Sequence, residues 1–357
     1  MLSELNSEGD DVTVETLTSV DALEDRVGAR PPVFHLKSIR YLDEHCHTLL
    51  AASPFAVIGL AARDGSLCTV AVGGDPGVLA VTGRTELTLP TLDRLDVPDG
   101  TAIGVLSFMP GYRETLRVNG RLRTGRRRVL EVEEAFLHCA KAVIRSGLWD
   151  PARPPTLKAV AEDGGELSMP GVAAFFEGCP FVTLASCDDG GAADVSPKGD
   201  PAGLLVQVLD DRRLAIADRP GNRRTDTMHN LMTHDALSLL AFIPGDERVI
   251  EVRGRGAVTT NEGVRSGLAV NGKVPKAALV LTTEHLEVRR EPAIAAAGLW
   301  DVSRHVDPGR LPRSTQIWVD HVKRNDDKGL AASAARLAVN VPMLDLGISK
   351  DYRDNLY

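Results

Sequence analysis

The chain contains one long unit twice, and this repeat constrains its fold more than any other feature. Residues 106–111 read Leu-Ser-Phe-Met-Pro-Gly, and residues 240–245 read Leu-Ala-Phe-Ile-Pro-Gly. Gly-Leu-Trp-Asp occurs at 147–150 and again at 298–301. Val129 to Asp150 aligns with Val280 to Asp301 without a gap. Upstream, Pro54-Phe55 matches Pro180-Phe181, and Gly74-Asp75-Pro76 matches Gly199-Asp200-Pro201. A two-fold repeat of units this long predicts two similar domains, not a solenoid of short ones.

Each unit reads mostly as strands. In the first, short apolar or alternating runs cover 55–62, 77–81, 101–108, 114–122 and 129–132. In the second they cover 181–187, 203–209, 213–217, 237–242, 249–258 and 277–283. Asp-Gly, Pro-Gly and Asn-Gly pairs between them supply turn chemistry. Many short antiparallel strands at regular spacing predict a barrel or sandwich in each unit. Helices are expected at 40–52, 133–147 and 221–233, and helical spacing returns at 327–339.

These patterns divide the 357 residues. Residues 1–14 are expected to be disordered, 15–150 to form the first barrel and 151–170 a Pro/Gly-rich linker. Residues 171–301 then form the second barrel, and 302–357 a helical extension packed across both. Net charge is −8, with a pI near 5.6, which argues against a general nucleic-acid binder. Every apolar run is too short to span a membrane. The acidic N-terminus lacks a secretory core, and five scattered cysteines fit reduced thiols in a cytoplasm. His45-Cys46-His47 resembles a metal clip, but i and i+2 face apart on a helix, so no metal is expected.

The second unit carries the chemistry-bearing motifs. Asp194-Val195-Ser196-Pro197-Lys198-Gly199-Asp200 is followed one hairpin later by Asp218-Arg219-Pro220-Gly221-Asn222-Arg223-Arg224-Thr225-Asp226. Pro-Gly makes a turn and Asn222 reads as a helix N-cap. Arg223 and Arg224 would then occupy a first helical turn, where the dipole disfavours cations unless an anion compensates. A phosphate gripped by guanidinium forks fits, with Lys198 as a third cation. The plainer alternative is a solvated basic turn paired with Asp218 and Asp226.

These motifs resemble the pyridoxamine 5′-phosphate oxidase-like family of FMN-binding split β-barrels. The first unit supplies that family's other stretches, Pro110 to Leu122 and Val132 to Pro151, so the resemblance spans residues 15–301. In that family two barrels pair, with a flavin at each of two interface sites, and this chain resembles such a dimer fused into one polypeptide. The units have lost complementary parts. In the first, Gly73 stands in the place of Lys198 and the Pro-Gly-Asn-Arg-Arg turn is absent. In the second, Glu251 replaces Arg117, and Arg289, Pro292 and Ala296 replace His138, Lys141 and Arg145. One complete composite site is left.

The resemblance implies that Ser196, Lys198, Arg219, Asn222, Arg223, Arg224 and Asn119 hold one FMN. It also implies that Arg117, His138, Lys141 and Arg145 face the substrate or the N1–C2 edge of the flavin, giving an oxidoreductase acting on a small molecule. A deazaflavin or haem, whose acidic groups the same cations would hold, is the alternative cofactor, and a non-catalytic flavin- or haem-binding protein the alternative function. The expected partners are the substrate alone, with neither nucleic acid nor membrane, in a pseudo-dimeric monomer for which further homodimerisation stays open.

Overall fold

The computed structural model describes residues 15–31, 35–61, 66–89, 97–150, 165–221 and 224–356. The expected disordered N-terminus, most of the linker, and Asn222 and Arg223 lie outside them. In chain order, β1 (Thr16–Leu17), α1 (Val20–Val27) and α2 (Glu44–Ala52) precede the first sheet. That sheet comprises β2 (Phe55–Ala61), β3 (Leu67–Gly73), β4 (Ala80–Gly83), β5 (Glu86–Thr88), β6 (Ala102–Phe108), β7 (Thr115–Thr124) and β8 (Arg128–His138), and α3 (Lys141–Ser146) follows it.

The second unit repeats this series. It contains α4 (Pro170–Gly178), β9 (Phe181–Cys187), β10 (Ala193–Gly199), β11 (Val206–Val208), β12 (Arg213–Ala217), α5 (Asp226–Asn230), β13 (Ala236–Phe242), β14 (Arg248–Thr259), α6 (Glu262–Gly267), β15 (Ala278–Arg290) and α7 (Pro292–Ala297). The extension adds α8 (Ser314–Arg324), α9 (Leu330–Ala338) and α10 (Val341–Asp354).

The strand orders are β3-β2-β6-β7-β8-β5-β4 and β10-β9-β13-β14-β15-β12-β11, antiparallel throughout, so each strand of the first sheet has its counterpart in the second, to which β1 adds an eighth strand beside β14. The fold is two tandem split β-barrels with flanking helices. Equivalent register breaks fall at Asn119/Gly120 and Arg253/Gly254. Equivalent tryptophans close the units: Trp149 Nε1 donates to the Tyr112 carbonyl at 2.8 Å, and Trp300 Nε1 to the Asp246 carbonyl at 2.7 Å.

β9 shows how the sequence builds the pair. Every residue in it is buried. Val182 and Leu184 enter the core of their own barrel, whereas Phe181 and Ala185 enter a second core shared with the first barrel. There Phe55, Phe108, Phe181 and Phe242 meet, with ring centroids 5.7–6.4 Å apart. An apolar run buried on both faces therefore marks the interface. The closing helices are exchanged: α3 lies on β10 and α7 on β3. A Cβ at Gly199 would sit 2.0 Å from the Ala142 carbonyl oxygen, and one at Gly73 1.9 Å from that of Ala293, so both approaches require glycine.

These equivalences correct the sequence alignment by one residue. Gly73 pairs with Phe55 as Gly199 pairs with Phe181. The residue in the place of Lys198 is therefore Val72, not Gly73. Domain limits also shift. β1 pairs with β14, and Leu23 and Val27 of α1 enter the second core, so residues 16–27 pack on the second barrel. Leu167, read as linker, is buried in that same core. The expected helix at 133–147 is strand through His138, because pairing with β7 overrides helical spacing. The helix at 221–233 shrinks to Asp226–Asn230, and the one at 40–52 starts at Glu44, capped by Asp43.

The extension docks on the first barrel through Ile317, Trp318, Leu344 and Ile348 rather than across both. Asp43 fixes it: its carboxylate accepts the Cys46 N–H, lies 3.3 Å from His321 Nε2 and pairs with Arg324. Burial alone would raise the Asp43 carboxyl, but His321 and the Cys46 amide outweigh it and hold the group well below the usual carboxylate range. A depressed carboxyl contributes stability above its unfolded value of about 3.9 and loses it as pH falls through the folded value. Asp43→Asn should therefore melt below wild type at pH 6, with the gap narrowing as acid unfolding is followed below pH ~4. A pH-independent gap would contradict a charge clamp.

Candidate functional site

Between the barrels lies a cavity of about 670 Å³. The first barrel lines it with Arg117, His138, Cys139, Lys141 and Arg145, and the second with Ser196, Lys198, Arg219 and Arg224. Apart from Asn119, Asn222 and Arg223, every residue expected at the site thus meets in one place. Asn222 and Arg223 lie outside the described residues. Asn119 lines a smaller neighbouring cavity of about 290 Å³ and donates to Glu134 at 3.1 Å.

Arg117 stands at the junction. On β7 it points across the barrel interface, 1 % exposed, with Nη1 donating to Asp226 at 2.6 Å and Nη2 to Ser196 Oγ at 2.6 Å. Ser196 in turn donates to Asp194 at 3.1 Å. Arg224 donates to the same Asp226 at 2.7 Å, to Ser38 at 2.8 Å and to Glu134, and lies over the Phe136 ring at 3.7 Å. Burial raises the Asp194 carboxyl, with repulsion from Asp226 adding to it against the pull of Arg117. Asp226 is buried too, but Arg224, Arg117 and Arg30 outweigh the burial and lower it. The carboxylates thus divide, Asp226 being the ionised hub of three guanidiniums.

This overturns part of the expected phosphate grip. Helix α5 starts at Asp226, its N-cap Thr225 sits in the left-handed region at φ 48° without a side-chain cap, and the helix is five residues long. Thr225 rather than Asn222 thus stands at the N-cap position, and Arg224 lies ahead of the first turn. Arg224 is committed to the network joining the barrels. The cavity wall keeps Lys198, which donates to Asp218 at 2.9 Å, and Arg219, which pairs with buried Asp200 and donates to the Leu204 carbonyl at 3.0 Å. Both cations thus carry an internal carboxylate partner, Asp218 for Lys198 and Asp200 for Arg219. Asp226 had a sequence signal in its place two residues after Arg224, but its reach to Arg117 is a tertiary fact.

His138 is at the end of β8 and half-buried; desolvation first, then Arg117 and Lys37, lowers its pKa well below the ordinary value, so the ring is neutral at pH 7. Lys37, which the sequence did not single out, donates to the Leu137 carbonyl at 3.2 Å and lies over Phe136 and Trp318. Burial brings it down to about 8. Lys141 and Arg145 carry the wall on to the chain's end: Lys141 Nζ is 2.7 Å from the Asp351 carboxylate, and Arg145 donates to the carbonyls of Pro220 and Leu356.

The pseudo-symmetric location is filled differently. Glu251, in the place of Arg117, accepts from the Thr69 N–H at 3.1 Å and from Arg289 at 2.9 Å, and Arg289 stands in the place of His138. An internal ion pair occupies the space there. Among the described residues, His45 turns to Asp320 at 2.8 Å, while Cys46 is buried with Asp43 and His321 in a group whose potential ligand atoms all lie within 4.8 Å of one another. All five cysteines are free, and no helix of the described residues is long and apolar enough to cross a membrane.

A search of curated proteins returns no match. Among solved structures, HupZ of Group A Streptococcus is 15 % identical, covering 31 % of this chain and 86 % of its own, with a TM-score of 0.27. General Stress Protein 26 of Bacillus anthracis is 14 % identical, covering 33 % and 94 %, with a TM-score of 0.26. HutZ, a haem storage protein of Vibrio cholerae, is 10 % identical, covering 35 % and 95 %, with a TM-score of 0.24. Residues 169–290 match the family model described as pyridoxamine 5′-phosphate oxidase, and they are the stretch that carries the Ser196–Asp226 wall of the cavity. Over those residues the second barrel is similar to the pyridoxamine 5′-phosphate oxidase family.

Proposed function

We propose that the protein is an FMN-dependent oxidoreductase acting on a small molecule, with one composite site between its barrels. The observation carrying this reading is the charge of the cavity. Among the described residues, eight lysines and arginines but three aspartates line it, in a chain whose net charge is −8. A concave site of this size and sign takes an anionic ligand. Its residues fit FMN. Lys198 and Arg219 hold the phosphate from the second barrel, together with Ser196, Asn222 and Arg223. Arg117 Nε and Thr227 Oγ1 are buried in the cavity wall without a hydrogen-bond partner among the described residues, and each offers a donor.

Bound FMN supplies the redox chemistry. The chain orients and shields it. Arg117 and Arg224 hold the two walls at a fixed spacing through Asp226. Neutral His138 offers a substrate a hydrogen bond without a charge. A deazaflavin or haem reading rests on the same cations, and His138 as an uncharged imidazole suits a haem ligand.

The test is spectral and then quantitative. The purified protein reconstituted with FMN should show flavin absorbance and saturate at one equivalent per chain; a Soret band would favour haem, and two equivalents would refute the single site. Lys198→Gln should weaken FMN about ten- to a hundredfold, the loss of one charge-assisted contact. Riboflavin, lacking the phosphate, should bind both forms alike. Equal losses for both ligands would place Lys198 away from the phosphate.

A further inference from the structure

Part of the cavity wall comes from the segment that carries Asp351 and Asn355. Lys141 is 3 % exposed, and its Nζ donates to the Asn355 carbonyl at 2.9 Å besides its ion pair with Asp351. A buried ammonium requires such an anion. Arg145 takes the Leu356 carbonyl, and the Tyr352 hydroxyl accepts the Ala140 N–H at 3.3 Å. Asp351 and Asn355, the partners of Lys141, line the same cavity as Lys141 and Arg145.

The segment is lightly held. No residue of α10 is buried, the Asp351 side chain is 45 % exposed, and Met343 and Leu346 face solvent. Elements with few buried contacts open at low cost. In the pseudo-symmetric location the two cations are Pro292 and Ala296, so only the intact site carries them.

We propose that Lys141 and Arg145 form the anion subsite for the substrate, and that the segment from Asp351 to Leu356 occupies it as an internal stand-in displaced by a carboxylate- or phosphate-bearing substrate. This rests on the reading of the cavity as a cofactor and substrate site, and deepens it by assigning the substrate class. A carboxylate or phosphate offers both cations charged oxygens, where the resting segment offers one carboxylate and neutral carbonyls. Arriving substrate exchanges one set of ionic contacts for a stronger one, and the shift in occupancy follows the difference in affinity.

Amide hydrogen exchange on the full-length protein tests this. Inorganic phosphate and succinate, added separately with FMN present, should raise exchange across residues 351–356, while sodium chloride at matched ionic strength should not. The more effective anion identifies the headgroup. Asp351→Asn should bind it about tenfold more tightly, having lost the competing charge. Lys141→Gln should show raised exchange without any anion and no further response, with β8 protection intact as proof of folding; Arg145→Gln gives the same readout if that variant fails to fold. Unchanged exchange at saturating anion, or an undiminished response in both variants, would overturn the proposal. FMN binding without a tail response would sink this inference alone. A tail response without FMN binding would sink the cofactor reading and leave the subsite.

Discussion

Asp226→Ala should destabilise the protein by about 3–5 kcal/mol, the cost of leaving buried charge without its partner. Asp226 accepts from Arg117 and Arg224 and lies 3.5 Å from Arg30. Arg117 and Arg224 are themselves buried. Removing the carboxylate strands like charges in a low-dielectric interface, where their repulsion is weakly screened. The loss has a second part, since Arg117 belongs to the first barrel and Asp226 to the second. The variant should therefore also loosen the cavity walls and weaken FMN. Denaturant unfolding measures the first effect and ligand titration the second. A loss under about 1 kcal/mol, typical of a surface pair, would show that the network is solvated.

Glu251→Ala should destabilise by a similar ~3–5 kcal/mol yet leave FMN affinity unchanged. Its half-site is not the composite one, so ligand binding is spared while folding is not. Glu251 is 5 % exposed and satisfies Thr69, Ser238 and Arg289, so its removal orphans several buried donors at once. Together the two variants separate holding the barrels together from holding a ligand. If Glu251→Ala weakened FMN as strongly as Asp226→Ala does, the single-site assignment would fail.

The repeat, the strand series and the convergence of Arg117, His138, Lys141, Arg145, Ser196, Lys198 and Arg219 on one cavity were legible because each rests on spacing or on complementary loss between two copies. What was not legible depends on tertiary contacts. His138 ends a strand because β7 pairs with β8, which no local periodicity reveals. Arg224 looks from its neighbours like a phosphate ligand, and only the approach of Glu134 and Asp226 shows where its guanidinium goes. The one-residue slip at Gly73 arose because the match of Gly-Asp-Pro with Gly-Asp-Pro was more conspicuous in letters than the backbone approach that only glycine permits. Lys37 is a lone lysine in the sequence and has no signature until the rings of Phe136 and Trp318 close on it.

The exchange of closing helices has a consequence for how such a chain can change. In a dimer of identical subunits every substitution is written into both sites at once, so a glutamate in the place of Arg117 would strip both junctions together. Here α3 and α7 cross between barrels within one polypeptide, and the two junctions are spelled by different codons. One can become a brace, as Glu251 and Arg289 have, while the other stays open to a ligand. Covalent fusion thus lets one junction specialise as scaffold without altering the one that keeps its cavity.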